Sequence, residues 1–375
     1  MAHCEQNEMS GKVSMTFALI SRGNINHAVP YLRHMVAAGV DVHWLQIAPG
    51  IDELPHVTIH RCYGKASYRS NFSKLSYFGA GRLARKVLED ISADVVNAHY
   101  ASSGGVVAWL SGFRPYAVTI HGSDLIERSR SVLGRFFLKR VFRQAALVNP
   151  VCEHMVPTLN RLGVPDDRIF VMPFGIDLPV FDYQPREKRF SEGLRLICTR
   201  ALRSAVYDIP TLLRALAEVR RRGVDASLTL AATGKLQKDF EALADKLGIS
   251  ESVVCLGGYA QQDLPAIFAR HDVYVSASLW DGASLSLMEA MACGIFPVVS
   301  DISANREWLT DGMDGLLFRV GDYIQLADIL QGISSRKDMV VKAVAKGRKT
   351  VEARADRVKN LSLFTERLMA LPGNE

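Results

Sequence analysis

A chain of 375 residues with 48% hydrophobic side chains can build about two cores, and its net charge of +6 favours anionic ligands without the basic-aromatic pattern of a nucleic-acid binder. The six cysteines stand singly, with no CxxC pair and no close histidine at metal-ligand spacing, so reduced thiols in a cytoplasmic chain are expected, with no metal centre and no cofactor. The opening MAHCEQNEMSGKVSMTFALIS lacks a signal-peptide pattern, and no segment nears the roughly 18 apolar residues of a membrane span.

Short apolar runs alternate with stretches of helical period along the whole chain, the pattern of βα units around parallel sheets. In the first half, strands are expected at 13–21, 41–48, 94–100, 116–122, 147–150 and 168–173, with a helix at 26–39 ending in Gly39. The Gly-, Pro- and charge-rich stretch near 176–193 reads as a linker. Beyond it, strands are expected at 194–199, 226–232, 252–257, 272–277, 296–300 and 315–318, with helices at 210–223 and 261–271 and a basic helical tail from Arg336. The expected division is an α/β domain over 1–175, the linker 176–193, a second α/β domain over 194–355 and a C-terminal helix over 356–375 packing toward the first domain. Each domain reads as a doubly wound, Rossmann-like parallel sheet, the two facing a central cleft, and ligands in such sheets lie beyond the carboxyl ends of the strands.

The loop and helix DGASLSLMEAMACG (281–294) begin at that edge of the second sheet. Gly282, Ala283, Ser284 and Leu285 leave amides at a helix start, an anion site suited to phosphate. Asp281 and Glu289, eight positions apart, are placed to accept hydroxyls on either side of it. The competing reading has Asp281 capping the helix and Glu289 on a solvated face.

This stretch, with SDISANREWLTDGMDGLLF (300–318) after it, resembles the donor site of the retaining glycosyltransferases of family 4, with Asp281 where that family usually has glutamate. The resemblance implies the GT-B fold, a nucleotide diphosphate sugar as donor, a sugar or lipid-linked glycan as acceptor, and a reaction without metal. It implies that Arg200, with Arg203 second, grips the diphosphate, and that Thr233, Gly234, Gly258 and Tyr259 line the nucleotide side. Arg200, Asp281 and His121 take the catalytic roles. In the first domain, HAHY-like and HGSD segments place His121 and Asp124 on the acceptor side, and Gly23 and Asn24 stand for the family's glycine loop. His99 reads instead as a strand-end histidine with local hydrogen bonds. No GxGxxG follows the first strand, against a nicotinamide cofactor.

The segment 127–146 interleaves Arg128, Arg130, Arg135, Lys139, Arg140 and Arg143 with Leu133, Phe136, Phe137, Val141 and Phe142. It reads either as a helix resting on an anionic membrane surface, at the inner face of the cytoplasmic membrane, or as an ordinary amphipathic helix with its stripe in the core. Three functions remain open: hexosyl transfer in cell-surface polysaccharide or glycolipid synthesis, nucleotide-sugar epimerisation on the same fold, and binding of a nucleotide-sugar without turnover.

Overall fold

The computed structural model describes residues 15–23, 25–63, 76–183, 190 and 193–371. By contacts it divides into one unit of Met1–Pro150, Met155–Phe170 and Leu361–Glu375, and another of Val151–His154 and Val171–Asn360.

The first unit holds β1 (Thr16–Ser21), β2 (Asp41–Gln46), β3 (Val57–Arg61), β4 (Val95–His99), β5 (Tyr116–Ile120) and β6 (Leu147–Pro150), all parallel in the order β3-β2-β1-β4-β5-β6. Its helices are α1 (Ile25–Ala37), α2 (Ser76–Asp90), α3 (Gly105–Ser111), α4 (Ser123–Ile126), α5 (Val132–Gln144) and α6 (Val156–Arg161). The central strands β4 and β5 are buried at every position, which is why they read as continuous apolar runs rather than alternating ones. One expected strand is corrected: in residues 168–173 only Ile169 pairs, by a single bridge to Val148, and Arg168 closes the 3-10 turn Asp166–Arg168. The edge strand β3 was missed, since its half-exposed VTIHR lacks that apolar continuity.

The second unit repeats the arrangement with β7 (Leu194–Cys198), β8 (Ala226–Leu230), β9 (Val253–Cys255), β10 (Val273–Ser276), β11 (Phe296–Ser300) and β12 (Leu316–Phe318), parallel in the order β12-β11-β10-β7-β8-β9. All six fall inside the expected segments. The helices are α7 (Ile209–Arg221), α8 (Gln237–Lys246), α9 (Leu264–Phe268), α10 (Leu285–Ala292), α11 (Ser303–Arg306), α12 (Tyr323–Ile333), α13 (Lys337–Arg354) and α14 (Arg357–Met369). Ile176 of the expected linker belongs here, exchanging backbone bonds with Ala355 (2.8 Å) and Arg357 (3.0 Å), and Phe181 is wholly buried. From Leu361 onward α14 belongs to the first unit, where Phe364 stacks on Phe170 with ring centres 6.3 Å apart.

In each sheet the strand order reverses once, between β1 and β4 and between β7 and β10. Helices leave on opposite sides there, so the chain segments following those strands border a crevice suited to a ligand. Arg22 and Gly23 follow β1, residues 100–104 follow β4, Arg200 follows β7, and Asp281 lies in the loop after β10. Two of these turns are tight enough to require glycine. A Cβ on Gly23 would overlap the backbone of Pro49 and Gly50, and one on Gly104 the carbonyl oxygens of His99 and Ile20. Gly104→Ala is therefore expected to destabilise the first unit by about 1–3 kcal/mol in urea unfolding, by forcing the turn after β4 off its strand. Gly258→Ala, whose added methyl meets only the Thr233 methyl at 3.8 Å, should cost less than about 0.5 kcal/mol in the same measurement.

Candidate functional site

The second unit's site is organised by one buried guanidinium. Arg200 is 7% exposed and donates through Nε to Ser276 Oγ (3.3 Å) and through one terminal nitrogen to Asp281 Oδ2 and Ser284 Oγ (3.3 Å). Its guanidinium also lies 5.3 Å from the Tyr207 ring centre. Burial works against its charge, but Asp281, then Tyr274 and Tyr207, outweigh that and hold it protonated. Behind the pair, Ser284 Oγ donates to Asn305 Oδ1 (2.7 Å), Asn305 Nδ2 to the Ser300 carbonyl (2.7 Å), and Ser300 Oγ to the Ser278 carbonyl (2.6 Å). The loop before α10 is thus tied to the ends of β7, β10 and β11.

Both simple structural readings of the two acids are corrected. Asp281 does not cap α10, whose N-cap is Ser284; it accepts from Gly282 N (2.8 Å) and Ser284 Oγ (3.2 Å) and pairs with Arg200. Two amides of this junction are engaged within the chain, Gly282 on Asp281 and Leu285 on the Ala283 carbonyl (2.9 Å). Glu289 is half-buried rather than on a fully solvated face, and desolvation pushes its carboxyl up to about 7, against the opposing pull of Arg357, Gln261 and Arg200. Gln261 Nε2 reaches Glu289 Oε1 at 3.4 Å, and Glu289 in turn helps burial raise the Tyr259 hydroxyl.

Thr233 and Arg203 are exposed, and Gly234 has a packing role, since a Cβ there would overlap the Leu202 backbone. Gly258 lies close to Thr233, whose methyl would be 3.8 Å from a Cβ added there. Gln261, Arg357 and Asn305 were not singled out in the sequence; Asn305 lies inside the 300–318 run, but its bond to Ser284 is brought in by the fold.

In the first unit, His121 stacks on Tyr100 (ring centres 4.2 Å, 23° between planes) and lies 4.9 Å from His27 and 5.0 Å from His99. Burial, then His27 and His99, hold its pKa well below the ordinary value, so it works as a neutral imidazole. His99 is buried in this ring cluster, 5.4 Å from Tyr31, and its pKa falls to about 3. Asp124, 3% exposed, accepts from the amides of Ala101 (2.6 Å), His121 (3.1 Å) and Gly122 (3.0 Å), so it positions the His121 loop. Burial raises its carboxyl to about 6 against those bonds. Asn24 lies outside the described residues.

The expectation that no cysteine has a histidine at metal-ligand spacing is also corrected. Cys152, His154 and Glu307 bring their ligand atoms within 4.8 Å of one another. Glu307 there accepts from the amides of Glu153 (2.9 Å) and His154 (2.7 Å) and bonds His154 Nδ1 (2.5 Å), and burial followed by Glu307 raises the Cys152 thiol far above its usual range. These bonds make Glu307 a cap on the 152–154 turn.

Residues 181–350 match the model of glycosyl transferases group 1, and residues 26–179 that of glycosyltransferase family 4. The chain is 29% identical over 227 residues to the GDP-mannose-dependent alpha-(1-6)-phosphatidylinositol monomannoside mannosyltransferase of Mycolicibacterium smegmatis, covering 56% of this chain and 58% of that one. It is 25% identical over 281 residues to the putative colanic acid biosynthesis glycosyltransferase WcaL of Escherichia coli K12, covering 71% and 68%. The chain thus spans between half and about two thirds of the length of these relatives. The crystal structure of Anabaena HepE in complex with UDP superposes with a TM-score of 0.79 at 17% identity, covering 95% of this chain and all of that one.

Removing one partner of the buried pair leaves the other charge stranded. Asp281→Ala should cost about 3–5 kcal/mol in chemical unfolding, and much of that loss should return in the Arg200→Met, Asp281→Ala double variant. The acid at 289 gives an independent test. Its pKa is raised on folding, so the protonated form contributes stability that is complete below the unfolded value near 4.5 and is lost as pH rises through about 7. The melting temperature of Glu289→Gln minus that of the parent should therefore rise between pH 4.5 and 7, and a flat difference would remove Glu289 from the buried site.

Proposed function

Since the chain belongs to the GT-B glycosyltransferases of family 4, we propose that it transfers a hexose from a nucleotide diphosphate sugar to an acceptor hydroxyl with retention of anomeric configuration, in the synthesis of a cell-surface polysaccharide or glycolipid. The observation that carries this reading is the buried Arg200 guanidinium, fixed on the loop that opens α10 at the strand-order reversal of the second sheet. A guanidinium has five N–H donors, and Ser276, Asp281 and Ser284 are its acceptors among the described residues, which leaves donors for phosphoryl oxygens. A positive charge held there, before any substrate arrives, meets the negative charge that grows on a departing diphosphate at little reorganisation cost.

In this reading Asp281 acts chiefly through Arg200, holding it in place. Glu289 is the hydroxyl acceptor, with Gln261 orienting its carboxylate, and Thr233, Gly258 and Tyr259 flank the base. His121 supplies a neutral imidazole next to the transferred sugar, and the acceptor attacks from the face that the diphosphate leaves. The reaction needs no metal in this scheme because the guanidinium carries the countercharge.

Guanine and uracil are both named among the similar proteins, the mycolicibacterial enzyme being GDP-mannose-dependent and HepE having been crystallised with UDP. A thermal-shift screen of UDP-, GDP- and ADP-sugars should show stabilisation by one base, about 2.7 kcal/mol at a hundredfold excess over Kd, and Glu289→Ala should lose it. No shift with any nucleotide, or epimerisation of the donor without acceptor, would defeat the proposal.

A further inference from the structure

The bonding around Arg200 leaves one cluster of the second unit with no role beyond capping. Cys152 and His154 stand on the short stretch Val151–His154, which belongs by contacts to the second unit although its neighbours in sequence belong to the first. Glu307, the C-cap of α11, reaches them from 153 residues beyond His154. The Cys152 sulfur, a ring nitrogen of His154 and a carboxylate oxygen of Glu307 all lie within 4.8 Å of one another, and no other such group of three occurs among the described residues.

Capping does not account for the side chains at 152 and 154. The amides of Glu153 and His154 hold Glu307 over the turn whatever side chains stand there. The thiol of Cys152 and Nδ1 of His154 bring two further protons to the same carboxylate. A carboxylate accepts about four hydrogen bonds, so Glu307 is filled, and two of its bonds come from groups that are themselves metal ligands. His154 Nε2, shut off from solvent, has no hydrogen-bond partner among the described residues.

Thiolate, imidazole and carboxylate together suit zinc, whereas magnesium and calcium take oxygen. Around one tetrahedral zinc, with bonds of about 2.0–2.3 Å, such donor atoms stand about 3.3–3.7 Å apart. The widest separation here, up to 4.8 Å, has about 1 Å to close, and the His154–Glu307 pair at 2.5 Å has about 1 Å to open. We propose that Cys152, His154 and Glu307 bind one zinc ion, which clasps the 152–154 turn to the end of α11. On binding, the thiol proton leaves to solvent and the sulfur gives its electron pair to the ion. The imidazole carries its proton on Nε2 in place of Nδ1, and Nδ1 becomes the second ligand. Glu307 exchanges its two side-chain bonds for the ion and keeps both amides. One proton is released, and thiolate and carboxylate cancel the charge of the dication. The fourth position takes water, and the ion has no part in the transfer reaction.

The surroundings meet the other needs of a metal site. Ligating carboxylates are held by hydrogen bonds of their own, and the two amides hold Glu307. Arg354 donates to the Glu307 carbonyl (2.6 Å) and lies 4.8 Å from the Trp308 ring centre, which fixes this end of α11. The side chains of His154 and Glu307 are 16% and 15% exposed and give the ion a way in, while Cys152 is buried. Burial and the neighbouring carboxylate make a lone thiolate costly at 152; a cation between the two reverses that preference.

Cobalt(II) titrated into the reduced, metal-free full chain reports the ligands directly. A thiolate bond to cobalt gives a near-ultraviolet charge-transfer band, and a four-coordinate ion gives strong visible bands. One equivalent should raise both, and zinc should bleach them one for one, whereas about a hundredfold excess of magnesium should not. Cys152→Ser should abolish the charge-transfer band, while Cys4→Ser and Cys255→Ser should leave it. His154→Gln and Glu307→Gln should each weaken zinc by more than the roughly 10- to 100-fold that losing a supporting hydrogen bond costs. Glu307→Gln keeps an oxygen for the two amides, so it should still melt cooperatively without metal, and the rise in melting temperature that zinc gives the parent should vanish. A parent chain that shows no thiolate band overturns the proposal without recourse to variants and assigns the cluster to capping alone. So does a band that survives in Cys152→Ser, which would place the thiolate elsewhere.

Discussion

A charge removed from water must be matched nearby, and in this chain that constraint falls on Arg200 and Asp281. Eighty-one residues separate them, yet the carboxylate and guanidinium meet because β7 and β10 are neighbours whose ends point the same way. Everything else at this site is arranged around that meeting. Ser276 and Ser284 share the guanidinium, and Asn305 and Ser300 extend the bonding to β11. A loop that would otherwise be free to drift becomes a fixed wall, with a positive charge already in place. The pair contributes little to net stability by itself, because desolvation offsets most of the attraction; its effect is to select one geometry for the loop.

The two units solve the same topological problem with different chemistry. Each sheet reverses its strand order once, and each puts its charged groups in the segments leaving that reversal. In the second unit the crevice is lined by a buried arginine and carboxylates. In the first, a ring cluster of histidines and tyrosine lies next to two arginines and an apolar chamber. No sequence repeat accompanies the shared order, so the likeness lies in burial pattern and strand adjacency alone.

How far these features were legible follows from the kind of signal each leaves. The strands of the second unit are apolar runs bounded by polar turns, and all six fall where that pattern puts them. The edge strand Val57–Arg61 leaves no such trace, because half of its side chains stay near solvent, and residues 168–173 looked like a strand although only Ile169 makes a bridge. The stretch after Asp281 was visible chiefly because it resembles the donor-site motif of family 4; its spacing alone left a capping aspartate and a solvated glutamate equally open. Its partner Arg200 was found, but not the bond between them, which depends on strand order. Gln261, Arg357 and His27 carry no local mark at all, and the turn at 152–154 hides a carboxylate that arrives from more than 150 residues away.

The histidines around Tyr100 have one more bearing on the molecule's behaviour. Burial and mutual repulsion keep His99 and His121 uncharged far below neutrality. The charge at this end of the first sheet is therefore set by arginines, whose protons do not come off in any physiological range, and by the Asp124 carboxyl, which burial raises to about 6. Acidification by a full unit from neutrality would leave the arginines and these imidazoles as they are and act on that end of the sheet through Asp124, whose carboxyl would take up a proton.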